Sequence, residues 1–296
     1  MARYDTPTDK TLLALDYALL VFVAVVMLYP FWQQLILSIS PRDEALRTGL
    51  HLFTFRPTLV GYAKVLTTPN IVRAFGMSVY RVALGTLISL FFTSLCAYPL
   101  SKKYFPLNRT FTGLILFTMM FSGGIIPSYI LIKNLGLMNS IWALVLPGAV
   151  GAWNLIIMRN FLKSLPASLE ESARIDGASE FTVWWRIVLP LSKPVLATVA
   201  LWVAVGHWNA YFDALIYIPD HKKAVMQLIL RWILLENQQE FTFGQGPELP
   251  GQASNAPTSE IMKAAIIMVS TLPIVAVYPF LQRYFVTGIM LGSVKE

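Results

Sequence analysis

Residues 11–39 run from Thr11 through a Leu/Val/Ala stretch to Leu35 and Ile36, long enough to cross a bilayer with overhang. A spanning helix needs about 20 predominantly apolar residues. Comparable runs recur at roughly 77–100, 110–132, 140–160, 194–218 and 260–282. In hydrocarbon a lone segment can satisfy its backbone N–H and C=O groups only as a helix. The chain is therefore expected to be an all-α integral membrane protein with six transmembrane helices. The composition agrees: 56% of residues are hydrophobic and 13% charged, where a soluble domain carries about 25% charged residues. The first run is too long for a signal-peptide core, and no small-x-small cleavage site follows it. It is read as a retained helix, with a kink expected at Pro30.

The breaks between runs carry the rest of the organisation. Residues 40–76 are polar but interspersed with Phe53, Phe55, Leu59, Tyr62 and Val65, so they are expected to fold against the membrane surface. Pro69-Asn70 reads as the start of a helix. The third run contains Gly123, Gly124 and Pro127, and the fourth Pro147, Gly148 and Gly151. Such breakers are tolerated at membrane depth only where neighbouring helices or a cavity satisfy the freed backbone groups, so both runs are expected inside a bundle. Leu228–Leu235 is apolar but too short to span and reads as a surface or re-entrant helix.

Three regions follow: 1–76, with the N-terminal tail, first helix and an extracytoplasmic segment; 77–284, the five-helix core; and 285–296, a C-terminal tail. Lys and Arg gather in short cytoplasmic loops. Lys102, Lys103 and Arg109 mark one such loop, and Arg159, Lys163, Arg174, Arg186 and Lys193 flank or lie in the polar segment 161–193. That segment and both termini are therefore placed in the cytoplasm, although the basic 40–76 stretch argues weakly the other way.

The formal net charge of +7 reports membrane orientation here rather than nucleic-acid binding. Cys96 is the single cysteine, so neither a disulfide framework nor a cysteine metal site can form within the chain. His51, His207 and His221 have no ligand spacing. No catalytic residue and no metal site are assigned.

The longest polar break in the middle of the chain, 168–190, reads as two short helices joined at Gly177. Pro166 suits a first helical turn. Ser168 and Glu171 have capping-box spacing. Gly177 suits the positive-φ position after a helix, and Ser179 can cap a second helix through Val188. Leu169, Ser172, Ala173 and Asp176 fall near one face, where small residues allow close approach by another surface. Trp184, Trp185, Ile187 and Val188 are expected to lie against the spanning helices. On these features alone, a solvated helix-turn-helix without a partner is an equal reading.

The spacing makes the segment specific. It resembles the EAA motif of ABC importer permeases: Glu-Ala-Ala, three residues, Gly, nine residues, Ile-x-Leu-Pro. Here stand Glu171-Ser172-Ala173, Gly177, and then Ile187, Leu189 and Pro190. Ser172 departs from the pattern by one small residue. Asp176-Gly177-Ala178 is the form typical of carbohydrate importers. The resemblance covers most of the chain. The layout, and the ending from Arg283 to Ile289 and Gly292 to Lys295, look like the smaller permease of maltose-type importers, and within that group like permeases for complex or acidic oligosaccharides.

The resemblance implies a binding-protein-dependent sugar importer in the bacterial cytoplasmic (inner) membrane. Its expected partners are a second permease, completing a heterodimer, two ATPase subunits that bind ATP and Mg, and an extracytoplasmic sugar-binding protein. The chain has no phosphate loop and is expected to be no enzyme itself. Glu171, Ser172, Ala173, Asp176, Gly177 and Ala178 are the expected ATPase-docking residues, within a cytoplasmic coupling helix-turn-helix between the fourth and fifth spans. For Glu171 a favourable place at a helix N-terminus, worth about 0.3–1 kcal/mol, holds alongside.

Polar groups inside spans usually face the bundle interior. Asn154, Trp208, Asn209, Tyr211 and Asp213 are therefore the substrate-pathway candidates, with interhelical packing and interface anchoring as the competing reading. Residues 236–258 stand where relatives have a loop that reaches into the binding protein; a disordered extracellular loop is the alternative. A polytopic membrane enzyme, or a structural membrane protein without an ATPase partner, is the other class of function. It lacks paired carboxylates, a His cluster or an activated nucleophile at membrane depth.

Overall fold

In the computed structural model, which describes residues 7–235 and 257–293, with side chains over 10–235 and 257–277, the apolar runs fold as helices. No strand occurs among the described residues. Helix α1, Pro7–Ser38, has 32 residues. At a rise of about 1.5 Å per residue it is about 48 Å long, more than the roughly 30 Å of hydrocarbon it must cross. Leu15, Leu20, Phe22, Met27 and Leu28 on it are all exposed, which suits lipid rather than water.

Short helix α2, Val60–Thr67, precedes α3, Pro69–Ser101. Pro69 opens α3, where its missing N–H costs nothing, as the Pro69-Asn70 signal predicts. The third predicted span is two helices, α4, Asn108–Met120, and α5, Ile125–Asn134, bent by 113°. The break falls at Gly123 and Gly124, and Gly124 has φ +84°. The fourth predicted span is also interrupted. A single turn α6, Trp142–Val145, and helix α7, Ala152–Lys163, stand on either side of Pro147, Gly148 and Gly151.

The polar segment then forms α8, Ala167–Ile175, and α9, Glu180–Val183. A π-helical turn over Trp184–Val188 and one turn at Leu189–Leu191 follow. Helix α10, Lys193–Asn209, is separated by a short break from α11, Phe212–Tyr217. Helix α12, Met226–Leu235, is short and apolar. It buries Met226, Leu228, Ile229, Trp232 and Ile233 and leaves Leu235 exposed. Helix α13 runs over Ser259–Ser293.

Among the described residues, three helices are long and apolar enough to cross a membrane unaided: Lys10–Ser38, Pro69–Ser101 and Ser259–Val277. The count rises to five if each of two bent pairs, 108–134 and 180–209, is one span. The 236–258 loop lies almost wholly outside the described residues.

The chain divides into two units, Met1–Val72 with Trp232–Thr271, and Arg73–Arg231 with Leu272–Glu296. In the first, Leu37, Ala45, Ile261 and Ala264 form a small core. Ser38 Oγ lies 2.8 Å from Tyr62 Oη, Trp32 Nε1 donates to the Leu52 carbonyl at 2.9 Å, and Thr54 Oγ1 to Glu44 at 2.6 Å. Over 40–67 the basic 40–76 stretch is thus folded, as its interspersed aromatics predict, and from Pro69 onward it belongs to α3.

In the second unit the core joins Ala97, Tyr98 and Leu100 of α3 to Leu155, Met158 and Leu162 of α7. Val183, Trp184 and Val188, then Val195 and Val199 of α10, complete it. That core is what the polar segment rests on.

Candidate functional site

Helix α8 starts at Ala167 because Pro166, with ψ 124°, is extended and cannot be helical. Pro166 therefore stands at the cap rather than in the first turn. The expected capping box does not form: Ser168 lies inside the helix, and Ser172 Oγ donates back to the Ser168 carbonyl at 2.9 Å. At the other end the turn chemistry is as predicted. Gly177 has φ +84°. Its N–H donates to the Arg174 carbonyl at 3.0 Å, and that of Ala178 to the Ala173 carbonyl at 2.9 Å. This pair of bonds is a Schellman ending, in which orphan helix carbonyls are satisfied by a left-handed residue. Ser179 caps α9, accepting from the Thr182 N–H at 3.3 Å.

Ser168, Glu171, Ser172 and Ile175 form one exposed stripe at helical spacing, and Asp176 and Gly177 continue it. Ile175 is 86% exposed. Of the six predicted docking residues, Glu171, Ser172, Asp176 and Gly177 are on the surface. Ala173 and Ala178 instead pack inward on the core, supplying the apolar contact that accompanies a Schellman ending. Trp184 and Val188 are buried as expected and Ile187 half-buried, but Trp185 is exposed. Trp184 meets Phe91 of α3 edge-on, with centroids 5.8 Å apart.

Beneath the stripe lies a charged cluster. Glu170, one residue before Glu171, is 5% exposed. Lys102 forms an ion pair with it, Arg174 Nη2 approaches at 3.4 Å and Tyr98 Oη at 3.4 Å. Across the Gly177 turn, Glu180 accepts from Tyr98 Oη at 2.8 Å and from Arg174 Nε at 2.7 Å. Arg174 also donates to Tyr104 Oη at 2.7 Å. The hydrogen bonds from Arg174 hold the Glu180 carboxyl below its ordinary range, and the same contact raises the pKa of Arg174. Burial raises the Tyr104 phenol, with the Glu180 charge adding to it. The loop after α3 is fixed from below: Arg159 Nε donates to the Leu100 carbonyl at 2.8 Å, and Asn108 Nδ2 to the Leu100 and Lys102 carbonyls, both at 2.9 Å.

The pathway candidates fall in two places. Asn154 is half-buried on the first turn of α7. Trp208, Asn209, Tyr211 and Asp213 surround the break between α10 and α11, where Ala210 turns to ψ 126°. Trp208 is buried and packs edge-on to Phe75 at 5.5 Å, the packing role of an aromatic. Asp213 is held by Arg81 of α3, whose Nη1 also donates to the Ala210 carbonyl at 3.1 Å. Asn209 is exposed and Tyr211 is 38% exposed. The Arg231 guanidinium lies 5.2 Å from the centre of the Tyr211 ring. Sequence reasoning singled out neither Arg231 nor Glu170. A cavity of about 520 Å³ is lined by Val82, Ala83 and Thr86 of α3, Ala200 and Ala204 of α10 and Ile274 of α13. Its apolar wall does not offer the polar partners a sugar needs.

Spanning helices, broken spans and an exposed helix-turn-helix with a Gly turn define a polytopic membrane protein of the permease type. The chain belongs to the family of binding-protein-dependent transport system inner membrane components, whose model matches residues 14–289. It is 43% identical over 273 residues to "Protein LplC" of Bacillus subtilis (strain 168), covering 92% of this chain and 91% of that one. It is 38% identical over 282 residues to the polygalacturonan/rhamnogalacturonan transport system permease protein YtcP of the same organism, covering 95% and 97%. A solved chain from a bacterial ABC transporter involved in the import of the acidic polysaccharide alginate superposes with a TM-score of 0.88 at 30% identity. That match covers 96% of this chain and 100% of the other.

Proposed function

We propose that this chain is the permease subunit of an ATP-driven, binding-protein-dependent importer of acidic oligosaccharides. It forms half of the pathway beside a second permease, with six spans and both termini in the cytoplasm. Hydrolysis belongs to two ATPase subunits that hold ATP and Mg, and an extracytoplasmic binding protein delivers the sugar. The observation that carries the coupling role is the exposed stripe Ser168, Glu171, Ser172, Ile175 continued by Asp176 and Gly177. It joins a charge that orients, small residues that allow close approach and one apolar side chain at the centre of a contact.

For the substrate, the support is the polygalacturonan and alginate transport named for two relatives. The exposed Tyr211 beside Arg231 at a broken span adds to it. Interrupted membrane helices are where transporters commonly bind their cargo. An aromatic face suits a sugar ring and a guanidinium suits a carboxylate. Asn154, Asn209 and Tyr211 are the contacts proposed for this subunit, with Trp208 and Asp213 holding the break in shape. The test is binding-protein-stimulated ATP hydrolysis by the assembled complex, screened across oligosaccharides with and without uronates. Stimulation by a uronate oligosaccharide is expected. A chain that purifies without any ATPase subunit would overturn the reading.

A further inference from the structure

The geometry points to Glu170 as the positioning residue of coupling: its buried carboxylate, paired with Lys102, fixes the docking helix α8 to the end of span α3. This rests on the proposed docking role of α8 and adds a second route for the force. Along the chain, α8 is attached only through Pro166 to α7 and through the Gly177 turn toward α10. Gly177 is a natural swivel, since its φ of +84° is held by two backbone bonds and no side chain.

The charged cluster straddles that swivel. Glu170 precedes it and Glu180 follows it, and both reach Tyr98 Oη and Arg174. Tyr98 lies in the last turn of α3, and Lys102 directly follows that helix. The Lys102 ammonium also sits 4.7 Å over the Tyr98 ring. Three groups from either side of the turn, Glu170, Arg174 and Glu180, thus converge on one end of one span. Glu180 is half-exposed, with 54% of its side chain accessible, whereas Glu170 has 6% and Lys102 13%. A buried pair keeps one geometry, while an exposed one is loosened by water and salt. The Glu170–Lys102 pair is therefore the stiff part of the joint. Burying two charges is poor evidence of stabilisation, because neutral groups of similar shape often serve as well or better. The arrangement makes more sense as a device that sets where α8 stands.

That distinction gives the test. Glu170→Gln, Lys102→Met and the double variant are assembled with the native ATPase subunits, partner permease and binding protein. Complex yield and sugar transported per ATP hydrolysed are both measured. Glu170→Gln strands the buried Lys102 ammonium, and Lys102→Met leaves Glu170 with only the longer Arg174 contact, so each single variant lowers the yield. The double variant leaves none, so its yield recovers, yet its transport per ATP stays low, roughly fivefold or more below native, the lower end of coupling effects. A double variant that recovers both quantities overturns the proposal and leaves a stability role. Glu171→Lys is run alongside as the test of docking itself. If it uncouples transport while the Glu170 variants do not, docking stands and the joint falls. If neither changes the ratio, both fall.

Discussion

Arg81 and Asp213, 132 positions apart in the chain, meet as an ion pair in which the guanidinium is 2% exposed and the carboxylate 29%. Arg81 is the more dependent partner. It also reaches the carbonyls of Ala210, at 3.1 Å, and Leu144, at 3.5 Å, so it gathers α3, the α6 turn and the break before α11 around one charge.

The unequal burial predicts unequal mutants. Asp213→Asn leaves a buried cation with only neutral acceptors, a loss of about 1–3 kcal/mol. Arg81→Met leaves a carboxylate that is already 29% exposed, and is expected to cost less. The double variant should lie near Arg81→Met, because no charge is then stranded. Thermal unfolding of the purified protein in detergent ranks the three. Equal losses from the two single variants would show that the pair is not the organising contact.

Gly85 of α3 faces His207 of α10. A Cβ built at Gly85 would fall 2.6 Å from His207 Cδ2 and 2.8 Å from Cε1, closer than such atoms ever stand. Small residues let membrane helices approach closely. Gly85→Ala is therefore expected to destabilise the protein by about 1–3 kcal/mol, the usual cost of overpacking, and Gly85→Ala with His207→Ala to recover much of it. A Gly85→Ala variant as stable as the native protein would mean that the ring moves aside freely.

At Gly177 the constraint is of another kind. Nothing lies within 4 Å of an added Cβ, so space is not limiting and the φ of +84° is. A left-handed backbone costs an ordinary L-residue about 1–2 kcal/mol. Gly177→Val is expected to lower transport per ATP strongly, and Gly177→Asn mildly, since asparagine tolerates that conformation best. Transport assays on reconstituted complexes give the order; an equal effect of both would point to lost surface contact instead of lost turn geometry.

How much of this was readable beforehand follows from the range of each interaction. The spanning run at 11–39, the helix start at Pro69, the left-handed Gly177 and the Ser179 cap are local, and each was legible from residues within a turn of one another. The inward face of Ala173 was not. Spacing fixes which residues share a face, but which face turns inward is decided by the core that α8 packs on. Glu170 and Glu171 are chemically identical neighbours. Only the arrival of Lys102 and Tyr98 from α3 separates a buried carboxylate from an exposed one. Arg81 and Asp213 could not be paired from their positions in the chain. The interruptions at Gly123-Gly124 and Pro147–Gly151 were visible as breakers, but not the 113° angle of the first.

The two carboxylates of the cluster also differ in how acid should affect them. Glu180 titrates below its ordinary value of 4.5, chiefly through its hydrogen bonds from Arg174, against a smaller opposing effect of burial. A carboxyl depressed in the folded state is stabilising above its unfolded value, and that contribution disappears as pH falls through the folded value. Native protein and Glu180→Gln are therefore expected to differ in thermal midpoint at pH 7, with the native protein higher. The gap should hold down to about pH 4.5 and close below it, because protonated Glu180 and glutamine are nearly alike. High salt should narrow the gap at pH 7, since Glu180 is half-exposed. A gap that persists unchanged through acid pH would mean that Glu180 acts through its packing and not its charge.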